Sequence, residues 1–271
     1  MKMKVKKISF EAIKIAVALV LVFPVLIAII VSFQSLDEVY KLPYSLTMEN
    51  PTWEHFAYAL KSMKLSVYMK NTLVQILVCV PCQIITSLLT AYAFSYFQFP
   101  FKNLLFTVIV ASMMIPRETV TITIFKMVAG WNMVDTYAGL TIVGLISVGA
   151  VFLFRQSMLS VPISLWEAAK MDGCGEMRFF AQILVPLCKS IIVAQTLLAV
   201  IGCYNDYLWP MLVTTKDTMR TIQTGIVYLT GVAHPGRTMA AVLIVLIIPI
   251  IMFIFGIDRI MEGVTAGAVK N

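Results

Sequence analysis

From Asn71 to Phe101 the chain carries no Asp, Glu, Lys or Arg, and most of its side chains there are apolar. A bilayer core about 30 Å thick is crossed by roughly 20 apolar residues in a helix rising about 1.5 Å per residue. Comparable uncharged runs recur at 15–33, 138–154, 190–213 and 238–257, with one acid in the third of these. A water-soluble core could not absorb them all. Hydrophobic residues make up 60% of the 271 and charged ones 13%, against roughly 45–50% and about 25% in soluble domains. This excludes a soluble enzyme, a disordered chain and an ordinary nucleic-acid binder. The expectation is an all-α membrane protein, one transmembrane domain over 1–271, with six spans at about 12–34, 71–95, 103–125, 138–156, 190–213 and 238–257. A polar loop at 160–189 separates the fourth span from the fifth.

Orientation follows the Lys and Arg of the short loops, which favour the cytoplasmic face. Placing the N-terminus inside puts eleven such residues on that side and eight outside, and the cluster Lys2, Lys4, Lys6 and Lys7 lies beside the first span. The reading is N-in and C-in, with 160–189 cytoplasmic and segments 34–70 and 214–237 outside. The lysine-rich start also resembles a signal peptide, but the apolar run is long for one and no A-x-A site closes it. An uncleaved first span is expected. The net charge of +7 reads as orientation charge and affinity for anionic lipid. Five scattered cysteines make no disulfide framework.

The cytoplasmic loop carries the most specific pattern. Ser164 and Glu167 have capping-box spacing, which predicts a helix from Leu165. Gly173 offers the left-handed residue that ends such a helix, and a second short helix is expected from about Gly175 to Leu184, broken by Pro186. Glu167, Ala168, Ala169, Gly173, Ile183 and Pro186 fall in register with E-A-A-x3-G-x9-I-x-L-P, Val185 replacing the leucine. This resembles the signature loop of bacterial ABC-importer permeases. Four further segments (91–94, Met114 to Pro116, Asn205 to Pro210, and the tail from Gly263 to Lys270) narrow the resemblance to carbohydrate-uptake permeases of the maltose-transporter type. Tyr204 departs from it, since relatives often carry Trp there.

The resemblance implies a bacterial plasma-membrane permease subunit that pairs with a paralogous permease. Two ATPase subunits would lie beneath it, and an extracytoplasmic solute-binding protein would deliver a sugar, a polyol or a glycerol-phosphate compound. The loop would act as a coupling elbow, through Glu167, Ala168, Ala169, Asp172, Gly173, Ile183 and Pro186, with Glu167 facing an arginine of the ATPase or capping its own helix. The tail 258–271 would form a second contact. No catalytic group, metal, cofactor or nucleic acid is implied.

Asp206 is the acid inside the fifth run, and a carboxylate at that depth should face a cavity or a partner. Tyr204, Asn205, Tyr207 and Trp209 surround it, a set suited to a sugar ring and its hydroxyls; a helix-bracing role for Asp206 is the alternative. Arg117 and Glu118, after Pro116, form an ion pair near the outer interface or line the gate. Cys79 and Cys82 imitate a redox pair but read as two buried thiols in a bent helix. Gly231 to Thr238 imitates a phosphate loop, with Arg237 where the lysine should be. His55 and His234 read as too distant and too exposed to hold a metal. The outer loop 214–237 is the natural contact for a binding protein. A secondary transporter using Asp206 as its proton site is the competing function, although no inverted repeat is present. An intramembrane enzyme would need clustered His or paired acids that the sequence lacks.

Overall fold

A computed structural model describes residues 2–41, 46–230 and 234–268, which are mostly helical and contain no strand. The helices are α1 (Lys2–Phe33), α2 (Leu36–Val39), α3 (Glu54–Ser62), α4 (Leu65–Tyr96), α5 (Lys102–Ala111), α6 (Arg117–Gly130), α7 (Tyr137–Thr141) and α8 (Val148–Leu159). They continue with α9 (Ile163–Met171), α10 (Glu176–Phe179), α11 (Val185–Leu187), α12 (Lys189–Tyr204), α13 (Leu208–Val213), α14 (Ile222–Thr230) and α15 (Pro235–Ala268). Two of the described helices are long and apolar enough to cross a bilayer unbroken, over Ile13–Phe33 and Leu65–Tyr96. Only 6% of the apolar window in the first is buried, so its surface is left for lipid or another chain.

Three of the other expected spans are interrupted, while the sixth lies within the continuous helix α15. α5, with a 3-10 turn to Met114, meets α6 at 98°; α7, extended to Gly144, meets α8 at 41°; and the helix ending at Leu187 meets α12 at 79°. Pro116 accounts for the first break, because it cannot donate a helical hydrogen bond and holds the residue before it extended. Ile115 is extended, with φ −81° and ψ 117°. Pro81, by contrast, lies inside the continuous helix α4. Two charges also fail to end a helix where the sequence suggested: α15 runs past Asp258 and Arg259 to Ala268. Of the tail expected at 258–271, positions 269–271 lie outside the described residues, as do 231–233 of the phosphate-loop imitation.

The chain forms two compact units, 1–66 with 225–249, and 67–224 with 250–271. In the first, Phe33 packs edge-on to Trp53 at 4.8 Å and against Phe56 at 5.0 Å. Ser35 and Glu38 form a capping box on α2, and the Glu38 carboxylate also accepts from the Asn50 amide at 2.8 Å. The histidine reading is corrected here. His55 is fully buried, bonds the Gln34 carbonyl through Nε2 at 2.9 Å, and stacks on His234 with ring centroids 5.4 Å apart. Gly236 makes this packing possible, since a Cβ there would lie 2.6 Å from His55 Nε2. Arg237 lies over the Tyr58 ring at 3.9 Å and 4.0 Å from Glu54. Among the described residues no group of three or more His, Cys, Asp or Glu could hold a metal.

In the second unit, a polar stripe on α4 accounts for the break between α7 and α8. Cys79 donates to the Thr141 carbonyl at 3.4 Å, Gln83 to that of Gly144 at 2.6 Å, Thr86 to that of Leu145 at 3.5 Å and Ser87 to that of Ser147 at 3.2 Å. Spacings of four, seven and eight residues put these donors on one helix face. Backbone carbonyls freed in a bilayer require such partners. Ser147 then caps α8 by accepting from the Ala150 amide at 3.3 Å. Cys79 is buried, whereas Cys82 is only half-buried, so the pair is not two buried thiols.

Candidate functional site

The elbow between α8 and α12 starts two residues earlier than its spacing suggests, at Ile163 and not Leu165. α9 begins at Ile163 with Pro162 as its cap, so Ser164 and Glu167 lie inside the helix and form no capping box. Pro162 brings a fixed φ of −58°, already suited to the helix start. The capping role for Glu167 falls away, and its side chain is exposed. At the other end Gly173 has φ +73°, the left-handed turn. The Asp172 amide donates to the Ala168 carbonyl at 3.0 Å and the Cys174 amide to that of Ala169 at 2.9 Å, closing the helix. A short α10 follows, passing through a π-helical turn at Phe180–Leu184 into α11. Pro186 lies inside that continuation, and the bend falls at Cys188, between α11 and α12.

Aromatic packing fastens the elbow to the ends of α4 and α8. Trp166 meets Phe179 at 4.6 Å, Tyr96 meets both, and Tyr92 meets Phe180 at 5.0 Å. The Tyr92 hydroxyl donates to the Glu176 carbonyl at 3.1 Å and the Tyr96 hydroxyl to that of Met158 at 3.4 Å. Ala169, Phe179 and Leu184 share one buried cluster with Phe154 and Met158, and Ile183 packs against it. Ala168, Asp172, Gly173 and Pro186 stay exposed. So do Leu165, Met177 and Met171, the last at 88%. The elbow is rigid on its inner side and presents small and apolar residues on its outer one.

The second unit also holds a half-open cavity of about 520 Å³, lined by Gln75, Gln83, Arg117, Ser147, Gln195, Gly202, Asp206 and Trp209 among others. Asp206 does not sit within a helix. α12 ends at Tyr204 and α13 begins at Leu208, and Asp206 occupies the gap. Its carboxylate accepts from Gln75 Nε2 at 3.2 Å and from the Trp209 backbone amide. It therefore braces α4 against α13 and faces the cavity at once. Trp209 is buried and donates its indole N–H to the Gly139 carbonyl at 3.1 Å. Tyr204 is buried away from the cavity lining, while Asn205 and Tyr207 are exposed and also do not line it. Arg117 lines the cavity as the first residue of α6. Sequence reasoning missed Gln75, Gln83 and Gln195. Gln75, Cys79 and Gln83, at four-residue steps in an uncharged run, were the available signal.

Outside the spans, the loop after α13 is held at several points. Asp135 accepts from the amides of Thr215 and Lys216 at 2.7 and 2.8 Å and from the Thr215 hydroxyl at 2.5 Å. Burial opposes ionisation of Asp135, but these hydrogen bonds outweigh it and hold the carboxyl below its ordinary range. Tyr68 donates to Asp217 at 2.5 Å, and Asn71 donates to the carbonyls of Thr218 and Arg220, each at 2.9 Å.

Comparison with known proteins agrees with this architecture. Residues 71–263 match the family model described as binding-protein-dependent transport system inner membrane component. The sn-glycerol-3-phosphate transport system permease protein UgpE of Yersinia pestis bv. Antiqua (strain Antiqua) is 32% identical over 244 residues, 86% of this chain and 87% of that one. Its counterpart in Rhizobium meliloti (strain 1021) is 33% identical over 241 residues, 85% and 86% of the two chains. A chain from the crystal structure of a bacterial ABC transporter that imports the acidic polysaccharide alginate superposes with a TM-score of 0.81 at 20% identity, covering 94% of this chain and 96% of that one. A chain from the alginate transporter in complex with a pentasaccharide-bound periplasmic protein gives 0.64 at 14% identity, covering 93% and 94%. The chain belongs to the family of inner membrane components of binding-protein-dependent transport systems.

Proposed function

We propose that this chain is a permease subunit of an ATP-driven importer, forming half of a translocation pathway for a sugar or a related polyol. Family membership, and relatives whose names specify glycerol-phosphate transport, support the transport role. The chain would cross the bilayer six times with both termini inside, the interrupted helices counting as spans. Helices broken beside a polar cavity fit that role, because irregular backbone is tolerated at membrane depth where it lines a cavity. A second permease would close the other side, an external binding protein would load it, and two ATPase subunits would drive it.

The observation that carries the mechanism is the elbow's two-sided character. Its inner face is locked to α4 and α8 by Trp166, Phe179 and Phe180, while Glu167, Ala168, Met171 and Gly173 face outward. A motor gripping the outer face would move α4, α8 and α12 as one body. The spans would then alternate the cavity between outward and inward access. Hydrolysis belongs to the partner subunits, and this chain transmits their closure.

The test is Gly173→Pro. The glycine's φ of +73° is closed to proline, so the turn must reshape. With insertion confirmed, uptake should be lost while ATP hydrolysis no longer responds to the loaded binding protein. Wild-type uptake with normal stimulation would overturn the proposal. Uptake that collapses with an uncoupler while ATP is maintained would favour an ion-coupled carrier built on Asp206.

A further inference from the structure

The end of α4 leaves carbonyls that the helix itself cannot pair, and two cations take them. Lys102 Nζ donates to the Phe97 carbonyl at 2.7 Å and to that of Ser95 at 3.3 Å. Arg155 Nε donates to the Phe94 carbonyl at 3.2 Å. Phe94 and Ser95 are adjacent in the chain, so α5 and α8 each send a positive charge to the same end of the same helix. Arg155 is held there by the Phe106 ring of α5, 4.1 Å from its guanidinium.

Capping uses only part of what these groups offer. An ammonium has three N–H donors and a guanidinium five, so both Nη groups of Arg155 and one N–H of Lys102 stay available. The partial charge of about −0.5 at a helix C-terminus does not offset two full positive charges. Among the described residues neither cation forms an ion pair. The sequence has no Asp or Glu over 55–117 or over 136–166, so neither helix brings an acid of its own to this end. Burial and the neighbouring guanidinium hold the Lys102 amine below its ordinary value.

The surface beside the cations says which anion would balance them. Leu105 and Val108 follow Lys102 at three-residue steps, along one ridge of α5, and are 47% and 60% exposed. None of the residues of α5 is buried. A free phosphate would use the cations and leave this ridge uncovered. A phosphodiester joined to acyl chains matches both, and basic pockets between helices at a membrane boundary suit such head groups.

We propose that Lys102 and Arg155 form a binding site for an anionic phospholipid, whose phosphate bridges the ammonium and the Arg155 Nη groups while an acyl chain lies along Leu105 and Val108. The guanidinium fork fits two phosphate oxygens. The site adjoins the elbow, because Tyr92 and Tyr96 near the same end of α4 pack on Phe180 and Trp166. A bound lipid would thus tie α5 and α8 to the platform that carries the elbow. This rests on reading α5 as part of a membrane span.

The experiment puts a bimane fluorophore on Val108→Cys in the importer assembled with its partner subunits, with the half-buried Cys82 and Cys174 replaced by serine. Phosphatidylcholine vesicles then receive phosphatidylglycerol or phosphatidylcholine carrying a nitroxide on an acyl chain, and quenching is followed against mole fraction. A cation near the surface is worth about fivefold in affinity for an anionic lipid. Phosphatidylglycerol should therefore half-quench at an about twentyfold lower mole fraction than phosphatidylcholine. Arg155→Gln and Lys102→Gln should each cut that preference about fivefold, with quenching by phosphatidylcholine unchanged. Should one variant fail to assemble, the other carries the same expectation. Inorganic phosphate at matched ionic strength should leave the preference intact; loss of the preference would make this a site for a free anion and overturn the lipid assignment. Equal quenching by the two lipids, or a preference that survives the substitutions, overturns this inference alone. No quenching by either lipid would take α5 out of the bilayer and overturn the span reading with it.

Discussion

The Cys79 thiol sulfur lies 2.7 Å from the point that a Cβ on Gly144 would occupy. α4 meets the turn at Ile142–Gly144 there through the Cys79 thiol, which takes the space a side chain on Gly144 would need. This contact brings Gln83 and Ser87 within reach of the carbonyls they satisfy. A one-atom change on either side therefore tests the packing of the helix break.

Gly144→Ala is expected to destabilise by about 1–3 kcal/mol, the usual cost of overpacking a tight contact. Cys79→Ala removes the sulfur that the new methyl would meet. The double variant should therefore cost less than the two single changes added together, by about 0.5 kcal/mol or more. Thermal unfolding midpoints of the purified importer measure this. Strict additivity would contradict the close approach.

Asp206→Leu takes the acceptor from both Gln75 Nε2 and the Trp209 amide. Two donors lose their partner, and a loss of about 1–3 kcal/mol is expected with uptake abolished. Asp206→Asn keeps one acceptor oxygen and should cost less stability while still lowering uptake. Equal stability of the two variants would show that Asp206 does not brace the break.

Asp135 should make the outer loop acid-sensitive. Its carboxyl is held below the ordinary range in the folded protein, so the stability it contributes is fully present above the unfolded value, near 3.9. That stability is lost as the pH falls through the lower folded value. Protection of the Thr215 and Lys216 amides against hydrogen exchange, corrected for intrinsic rates, should fall on acidification below about pH 4. Asp135→Asn should be less protected at neutral pH and lack that acid step. An acid step that survives in Asp135→Asn would assign it to another group.

Much of this architecture could be read from the residues, and the gaps have physical causes. Uncharged length marked the membrane segments because desolvation of a charge is a large, local penalty. The elbow was legible because Glu167, Ala168, Ala169 and Gly173 combine a helix former, a close-packing surface and a left-handed stop. Where α9 starts was not, since Pro162 competes with Ser164 for the cap. Interruption of the spans was only half visible. Pro116 was the available signal for one break, although a single span was expected over 103–125; the break at Leu145–Ser147 depends on Gln83, Thr86 and Ser87 supplying bonds from another helix. Depth of charge marked Asp206, yet it sits between helices, where Gln75 and the Trp209 amide hold it. Gln75 and Gln83 escaped because a neutral amide in an apolar run interrupts neither charge nor hydropathy. His55 escaped because its partner His234 is remote in sequence.

The central claim is that the elbow is gripped from the cytoplasm by a separate motor. A cysteine replacing the exposed Glu167 in the co-expressed importer, treated with a bifunctional thiol–amine reagent, tests it most directly. The expected product is a covalent adduct with the ATP-hydrolysing subunit, formed in inverted vesicles and not by impermeant reagent outside intact cells. Modification of Glu167→Cys by that impermeant reagent in intact cells would put the elbow on the wrong face and contradict the account.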